Sequence, residues 1–173
     1  MLMWVFGYGS LMWDGWQKKH GSGGAILAEL PGYVRAFNKA SILRWGTKAD
    51  PGPTLNLVES DGGVCVGYAF EFPAAKKAEV LADLASREGK GFELRPMEVR
   101  LTGGQRVLAY TPVYIGKNLI TGKSSVDLVA KARSARGVAG NCTDYILSIA
   151  EKLASLKISD KAVEDFASAL EEH

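Results

Sequence analysis

Two places in this sequence hold residues whose type and setting suit chemistry: a glutamate at the end of a helix and an apolar run broken by glycines. In PAAKKAEVLADLASREG, Lys77, Leu81, Leu84 and Glu88 recur at helical steps, so Glu88 shares a stripe with two leucines. A carboxylate there is aimed at apolar surroundings. It also sits in the last turn, where the helix macrodipole is negative. Both effects disfavour the charged form, which suits a group that takes and returns a proton near neutral pH. The alternative is a frayed helix end, with Glu88 solvated and paired to Lys90 or Arg95.

The second place is VFGYGSLMW, Val5 to Trp13, where Gly7, Gly9 and Ser10 interrupt a buried-looking segment that resumes with Leu11 and Met12. Glycine packs nothing and loses much backbone freedom on folding, so two of them in such a run need a reason. One reading is a β-bulge or tight strand exit. The other is a row of backbone N–H groups shaped to hold a carboxylate.

Other chemistries fail on spacing. GYGSLM has the first two glycines of a dinucleotide fingerprint but Met12 in place of the third, and IGKNLITGKSS has Lys117 where a phosphate-binding loop needs glycine. His20 lies in KKHGSGG, which reads as a flexible segment, and His173 is the last residue, so a histidine base or metal cluster is hard to assemble. Cys65 and Cys142 lie far apart without metal or redox spacing and read as small buried hydrophobes. Tyr145 reads as a core residue of its helix or as a hydroxyl pointed into a site.

The chain has 173 residues, 47% of them hydrophobic, enough for one domain over residues 1–173 with a substantial core. Its 21 Lys and Arg against 19 Asp and Glu leave +2, with the basic residues scattered, which argues against nucleic acid as a partner. No basic leader and no apolar run of spanning length is evident, so a reducing cytoplasm and no membrane partner are expected.

Strand signals fill the first two thirds: Met3 to Tyr8, Ile26 to Leu30, then Tyr33 to Ser41 beyond a Pro31-Gly32 turn. TLNLVESDGGVCVGYAFEF predicts a hairpin turning at Asp61-Gly62. In its second arm Val64, Val66, Tyr68, Phe70 and Phe72 alternate with Cys65, Gly67, Ala69 and Glu71, one bulky face and one small. That asymmetry predicts an α+β fold: a small, strongly curved mixed barrel or sheet, packed by helices on one side and tight on the other. A helix ending near Gly89, a hairpin turning at Gly103-Gly104 and three helices near 125–135, 141–156 and 160–171 complete the reading.

Taken together, WVFGYGSLMWDGW, PGPTLNLVE, VGYAFEF, LADLASREGKGFELR and GNCTDYILSIAEKL resemble the ChaC-type γ-glutamylcyclotransferases, from Trp4 to about Leu153. The resemblance implies a γ-glutamylcyclotransferase-like fold and a lyase that needs neither metal nor nucleotide cofactor. It implies release of 5-oxoproline from a γ-glutamyl compound, glutathione in the best-known members, with Cys-Gly as the other product. Glu88 maps onto the family's catalytic glutamate. The implied substrate-binding residues are Gly7, Tyr8, Gly9, Ser10, Leu11, Met12, Ser41 and Tyr145.

The sequence departs from the glutathione-acting members after PGYVRAFNKAS. Asn38 stands where they carry tryptophan, Ala40-Ser41 where they carry Gly-Ser, and Leu43-Arg44-Trp45-Gly46 replaces a His-Arg-Gly stretch. Leu119 and Ile120 replace an Asn-Pro-x-Tyr segment. These changes bear on the leaving-group half of the pocket. They leave open a different γ-glutamyl amine as substrate, or a non-catalytic binder on the same scaffold, against which Glu88 argues. An interaction patch of Trp4, Trp13, Trp16 and Trp45 is a third reading, weaker because such tryptophans are commonly core or pocket wall.

Overall fold

The computed structural model describes residues 1–172; His173 lies outside the described residues. Seven strands are formed: β1 (Leu2–Gly7), β2 (Gly24–Ser41), β3 (Gly52–Pro73), β4 (Phe92–Leu101), β5 (Arg106–Tyr114), β6 (Arg136–Gly137) and β7 (Gly140–Asn141). The helices are α1 (Lys77–Glu88), α2 (Ser125–Ser134), α3 (Cys142–Ser155) and α4 (Lys161–Glu171). The long strands close a barrel in the order β1-β3-β2-β4-β5, and this α+β architecture is the one expected. It is mixed because β1 runs antiparallel to β3, from Leu2↔Pro73 to Gly7↔Tyr68, but parallel to β5 through Trp4↔Ala109 and Val5↔Tyr110.

Two expected turns are absorbed into strands. Pro31-Gly32 lies inside the continuous β2, and Asp61-Gly62 inside the 22-residue β3. Gly32 and Gly62 take φ of 84° and 73°, and such glycines bend a strand without ending its pairing. The Gly103-Gly104 hairpin forms as expected, with β4 and β5 paired from Phe92↔Tyr114 to Arg100↔Arg106.

By contacts the chain divides into two compact units, one made of Met1–Val34 with Leu57–Gly116, the other of Arg35–Asn56 with the chain from Lys117 onward. In the first unit the two faces of β3 do what their side chains suggest. Cys65 and Ala69 on the small face are fully buried, and a Cβ on Gly67 would strike the Gly7 carbonyl and the Phe6 ring. On the bulky face Phe70 and Phe72 join Met3, Val5, Leu11, Trp16, Val80 and Leu84 in one cluster. Each such side chain contributes roughly 1.5–3 kcal/mol by leaving water.

In the second unit α2, α3 and α4 pack on one another. Ile146, Ile149 and Leu153 of α3 and Val163, Ala167 and Leu170 of α4 are buried, and the Phe37 ring lies 4.9 Å from that of Phe166. Asp160 caps α4, its Oδ1 accepting from Val163 N (3.1 Å), while its Oδ2 meets the fully buried Arg35 at 2.8 Å. Both carboxylate oxygens are engaged, as a buried ion pair requires. Asn141 precedes α3 without a side-chain capping bond, and Ser124 and Asp127 form a reciprocal capping box on α2.

Candidate active site

In the first unit β1 leaves the sheet at Gly7 and turns at once into a single 3-10 turn, Ser10–Met12. Gly7 is required by packing. A Cβ there would lie 2.9 Å from Leu11 Cβ and 3.4 Å from the Phe70 ring. Gly9, with φ −131° and ψ −133°, opens the turn. The turn is closed by the N–H of Met12 donating to Gly9 O (2.9 Å) and by those of Trp13 and Asp14 donating to Ser10 O (both 3.1 Å). The Met12 N–H is therefore committed within the turn, while those of Gly9, Ser10 and Leu11 take no part in closing it. Tyr8 turns its hydroxyl inward and donates to Pro112 O at 2.7 Å.

Three contacts tie this turn to Trp16 and to α1. The Trp16 indole N–H donates to Leu11 O at 3.1 Å. The Leu11 side chain packs in the same cluster as Val80 and Leu84 of α1. Asp14, which also accepts from Trp16 N, pairs with Arg87, the neighbour of Glu88.

Helix α1 ends where the sequence predicts, on Glu88 with Gly89 at φ 80° behind it. The buried stripe is centred on Val80 and Leu84, with Leu81 at its edge, so Glu88 lies one turn beyond Leu84 and is half-buried. The structure thus brings Glu88 and the Gly9–Met12 turn onto one scaffold within the first unit.

His20 departs from expectation. Its segment is a 3-10 turn, Trp16–His20, bracketed by the positive-φ Gly15 and Gly21, and the ring is 4% exposed. Nδ1 lies 2.9 Å from Glu79 Oε1 and Nε2 lies 2.9 Å from Asp83 Oδ2. Lys19 reaches Asp83 at 2.9 Å and Lys76 reaches Glu79 at 3.1 Å. Hydrogen bonds from Lys76 and His20 hold the Glu79 carboxyl below its ordinary range. Burial pushes Asp83 upward most strongly, but hydrogen bonds and charge from His20 and Lys19 outweigh it and the net shift is downward. Glycine and lysine around His20 hide this arrangement in the sequence, because both acidic partners lie about sixty residues away, beyond any local pattern.

Ser41 and Tyr145 belong to the second unit, where both engage the Trp45 segment. Ser41 is buried and its Oγ accepts from Trp45 N at 3.0 Å. The Tyr145 ring stacks on the Trp45 indole with centroids 5.0 Å apart, and its hydroxyl accepts from Leu55 N at 3.0 Å. Gly52 stands against the Trp45 carbonyl, where a Cβ would collide. The carbonyls of Leu43 and Arg44 accept from Val138 N and Ala139 N at 2.9 and 2.8 Å, and the Leu43 and Val138 side chains stay exposed. Cys142 donates its S–H to Pro53 O at 3.2 Å, and burial pushes its thiol up to about 12. Among the described residues no group of three or more His, Cys, Asp or Glu is placed to hold a metal. Among them, too, no helix is long and apolar enough to cross a membrane.

A barrel of this topology, with a glycine turn at the exit of β1 and a carboxylate closing the helix after β3, defines a recognisable class. The family described as ChaC-like protein matches residues 3–173, and the chain belongs to it. The chain is 30% identical over 181 residues to γ-glutamylcyclotransferase 2-3 of Arabidopsis thaliana, covering 96% of this chain and 87% of that protein. It is 32% identical over 187 residues to the glutathione-specific γ-glutamylcyclotransferase of Schizosaccharomyces pombe, covering 95% and 89%. The fold is shared with a crystal structure of a yeast γ-glutamyl cyclotransferase specific to glutathione, with a TM-score of 0.82 at 19% identity over 98% of this chain and 95% of that one.

Proposed function

We propose that this protein is a γ-glutamylcyclotransferase that releases 5-oxoproline from glutathione, with Cys-Gly as the second product. The substrate's α-amine attacks its own γ-carbonyl. The new C–N bond closes a five-membered ring as the γ-amide bond breaks. The nucleophile is already tethered, so the protein's main task is to hold the reactive rotamer, and orientation of this kind can contribute on the order of 7–11 kcal/mol. Glu88 takes the amine proton and returns it to the departing nitrogen, one carboxyl serving as base and then as acid. The turn contributes the Gly9, Ser10 and Leu11 N–H groups to the α-carboxylate, with the Ser10 hydroxyl beside them. Gly7, Tyr8 and Met12 shape this turn; in the second unit Ser41 and Tyr145 hold the Trp45 segment.

Glu88's placement carries this reading: a half-buried carboxylate one turn beyond Leu84, on the helix face that packs with Leu11 of the turn. Family membership and the names of the two relatives support it. The enzyme works on a small γ-glutamyl molecule and needs neither nucleic acid nor a membrane. Cys65 and Cys142 are buried and not joined in a disulfide, which suits a reducing cytoplasm. The aromatic and apolar character of Leu43 and Trp45 favours a second reading, in which the leaving group is an amine or peptide other than Cys-Gly.

The test is to incubate purified protein with glutathione, γ-glutamyl-alanine and γ-glutamyl-ε-lysine and to detect 5-oxoproline by mass spectrometry, with Glu88→Gln beside it. Product from glutathione that disappears in Glu88→Gln is expected. Product only from another compound would transfer the reading to that substrate, and product that survives Glu88→Gln would remove Glu88 from its role.

A further inference from the structure

We propose that His20 is a positioning residue for the cyclisation: clamped between Glu79 and Asp83, its ring holds the Gly9–Met12 turn, through Trp16, against the helix that ends in Glu88. The proposal rests on the roles assigned to that turn and to Glu88 under the proposed function. Both ring nitrogens of His20 lie 2.9 Å from carboxylate oxygens and the residue is 4% exposed, so the ring is held from both sides.

The two acids are four residues apart on one face of α1, so the clamp grips the helix along a full turn. On its other side the ring meets Trp16, centroids 6.1 Å apart, and Trp16 holds the Leu11 carbonyl. Glu88 follows Asp83 on the same helix. His20 therefore stands between the turn and the helix without touching either reacting group. The charged groups that face it are Glu79 and Asp83 from α1, with Lys19 beside Asp83 and Lys76 beside Glu79. Phe72 of β3, 6.4 Å away between centroids, is uncharged.

The test uses the full chain and compares wild type, His20→Gln and the double variant Glu79→Gln/Asp83→Asn. Circular dichroism, Tm, kcat and KM for glutathione are followed. Both variants should stay folded and lose about tenfold or more in kcat, with KM within about twofold of wild type. Lys76→Ala, which removes only an outer partner of Glu79, should stay within about twofold of wild type in kcat.

The proposal is overturned if the variants keep the wild-type kcat and differ only in Tm, or if KM changes as much as kcat. Should His20→Gln not fold, the carboxylate double variant, which keeps the histidine, decides by the same split. Wild type that turns over none of the γ-glutamyl compounds removes the functional reading and this proposal together, whereas active wild type with unaltered variants removes this proposal alone.

Discussion

The turn of the first unit and the Trp45 segment of the second are held by different forces. Around the turn, ion pairs of Asp14 with Arg87 and of Lys19 with Asp83 stand beside the Trp16–Leu11 hydrogen bond and the packing of Leu11. The Trp45 segment is held by neutral hydrogen bonds from Ser41 and Tyr145 and by one aromatic stack. Ionic straps weaken when a partner changes its proton count, whereas neutral bonds and stacking do not. The contrast bears on the proposed function, in which the turn and Glu88 carry the proton chemistry common to all γ-glutamyl substrates; the Trp45 segment, where the sequence departs from the glutathione-acting members, is proposed to bear on the choice of leaving group.

Substitutions can break or sharpen that contrast. The largest effect belongs to Glu88→Gln, which should lower kcat about a thousandfold for every γ-glutamyl substrate alike while leaving KM close to wild type. A loss confined to one substrate would contradict that common role. Gly9→Val should abolish measurable binding with the far-UV spectrum unchanged, because the β-branched side chain blocks approach to the turn's backbone; retained activity would mean the ligand does not come there.

Trp45→Ala should act on choice rather than on chemistry, shifting the ratio of kcat/KM between glutathione and γ-glutamyl-alanine by about tenfold, as the loss of one apolar contact does. Tyr145→Phe leaves Leu55 N–H without its acceptor, which costs about 1–3 kcal/mol, read from the urea midpoint with no change in pH dependence. On the ionic side, Asp83 has its pKa depressed in the folded state, so its contribution to stability is present above the unfolded value near 3.8 and is lost as pH falls below it. Tm of wild type should drop through that range more steeply than that of Asp83→Asn. The smallest effect concerns Cys142, whose thiol, raised to about 12, should resist alkylation until the protein unfolds.

Sequence alone reveals the parts of this molecule written in local patterns. Alternation along Val64 to Phe72 predicts which side chains enter the barrel, and the leucine spacing with Gly89 behind it predicts where α1 ends and that Glu88 stands there. The continuous β2 and β3 are hidden because Pro31-Gly32 and Asp61-Gly62 carry turn chemistry, and whether such a pair ends a strand or merely bends it depends on partners across the barrel. Ser124 and Asp127 stand at the spacing of a capping box, with Asp in place of the usual Glu or Gln, so the start of α2 is only faintly marked. His20 is hidden for another reason: its two acidic partners lie about sixty positions away, to which hydrophobic periodicity is blind.

The parallel pairing of β1 with β5 has a consequence in time. Trp4 meets Ala109 about a hundred residues further along the chain, and contacts of such long span are slow to form because loop closure must precede any gain from them. During synthesis β1 gains β3 as a neighbour on one edge well before β5 exists, so its other edge must wait and the barrel stays open until late. Nascent chains halted before Tyr114 should leave that edge of β1 open to chaperones and show no cyclotransferase activity, with competence arriving late and all at once.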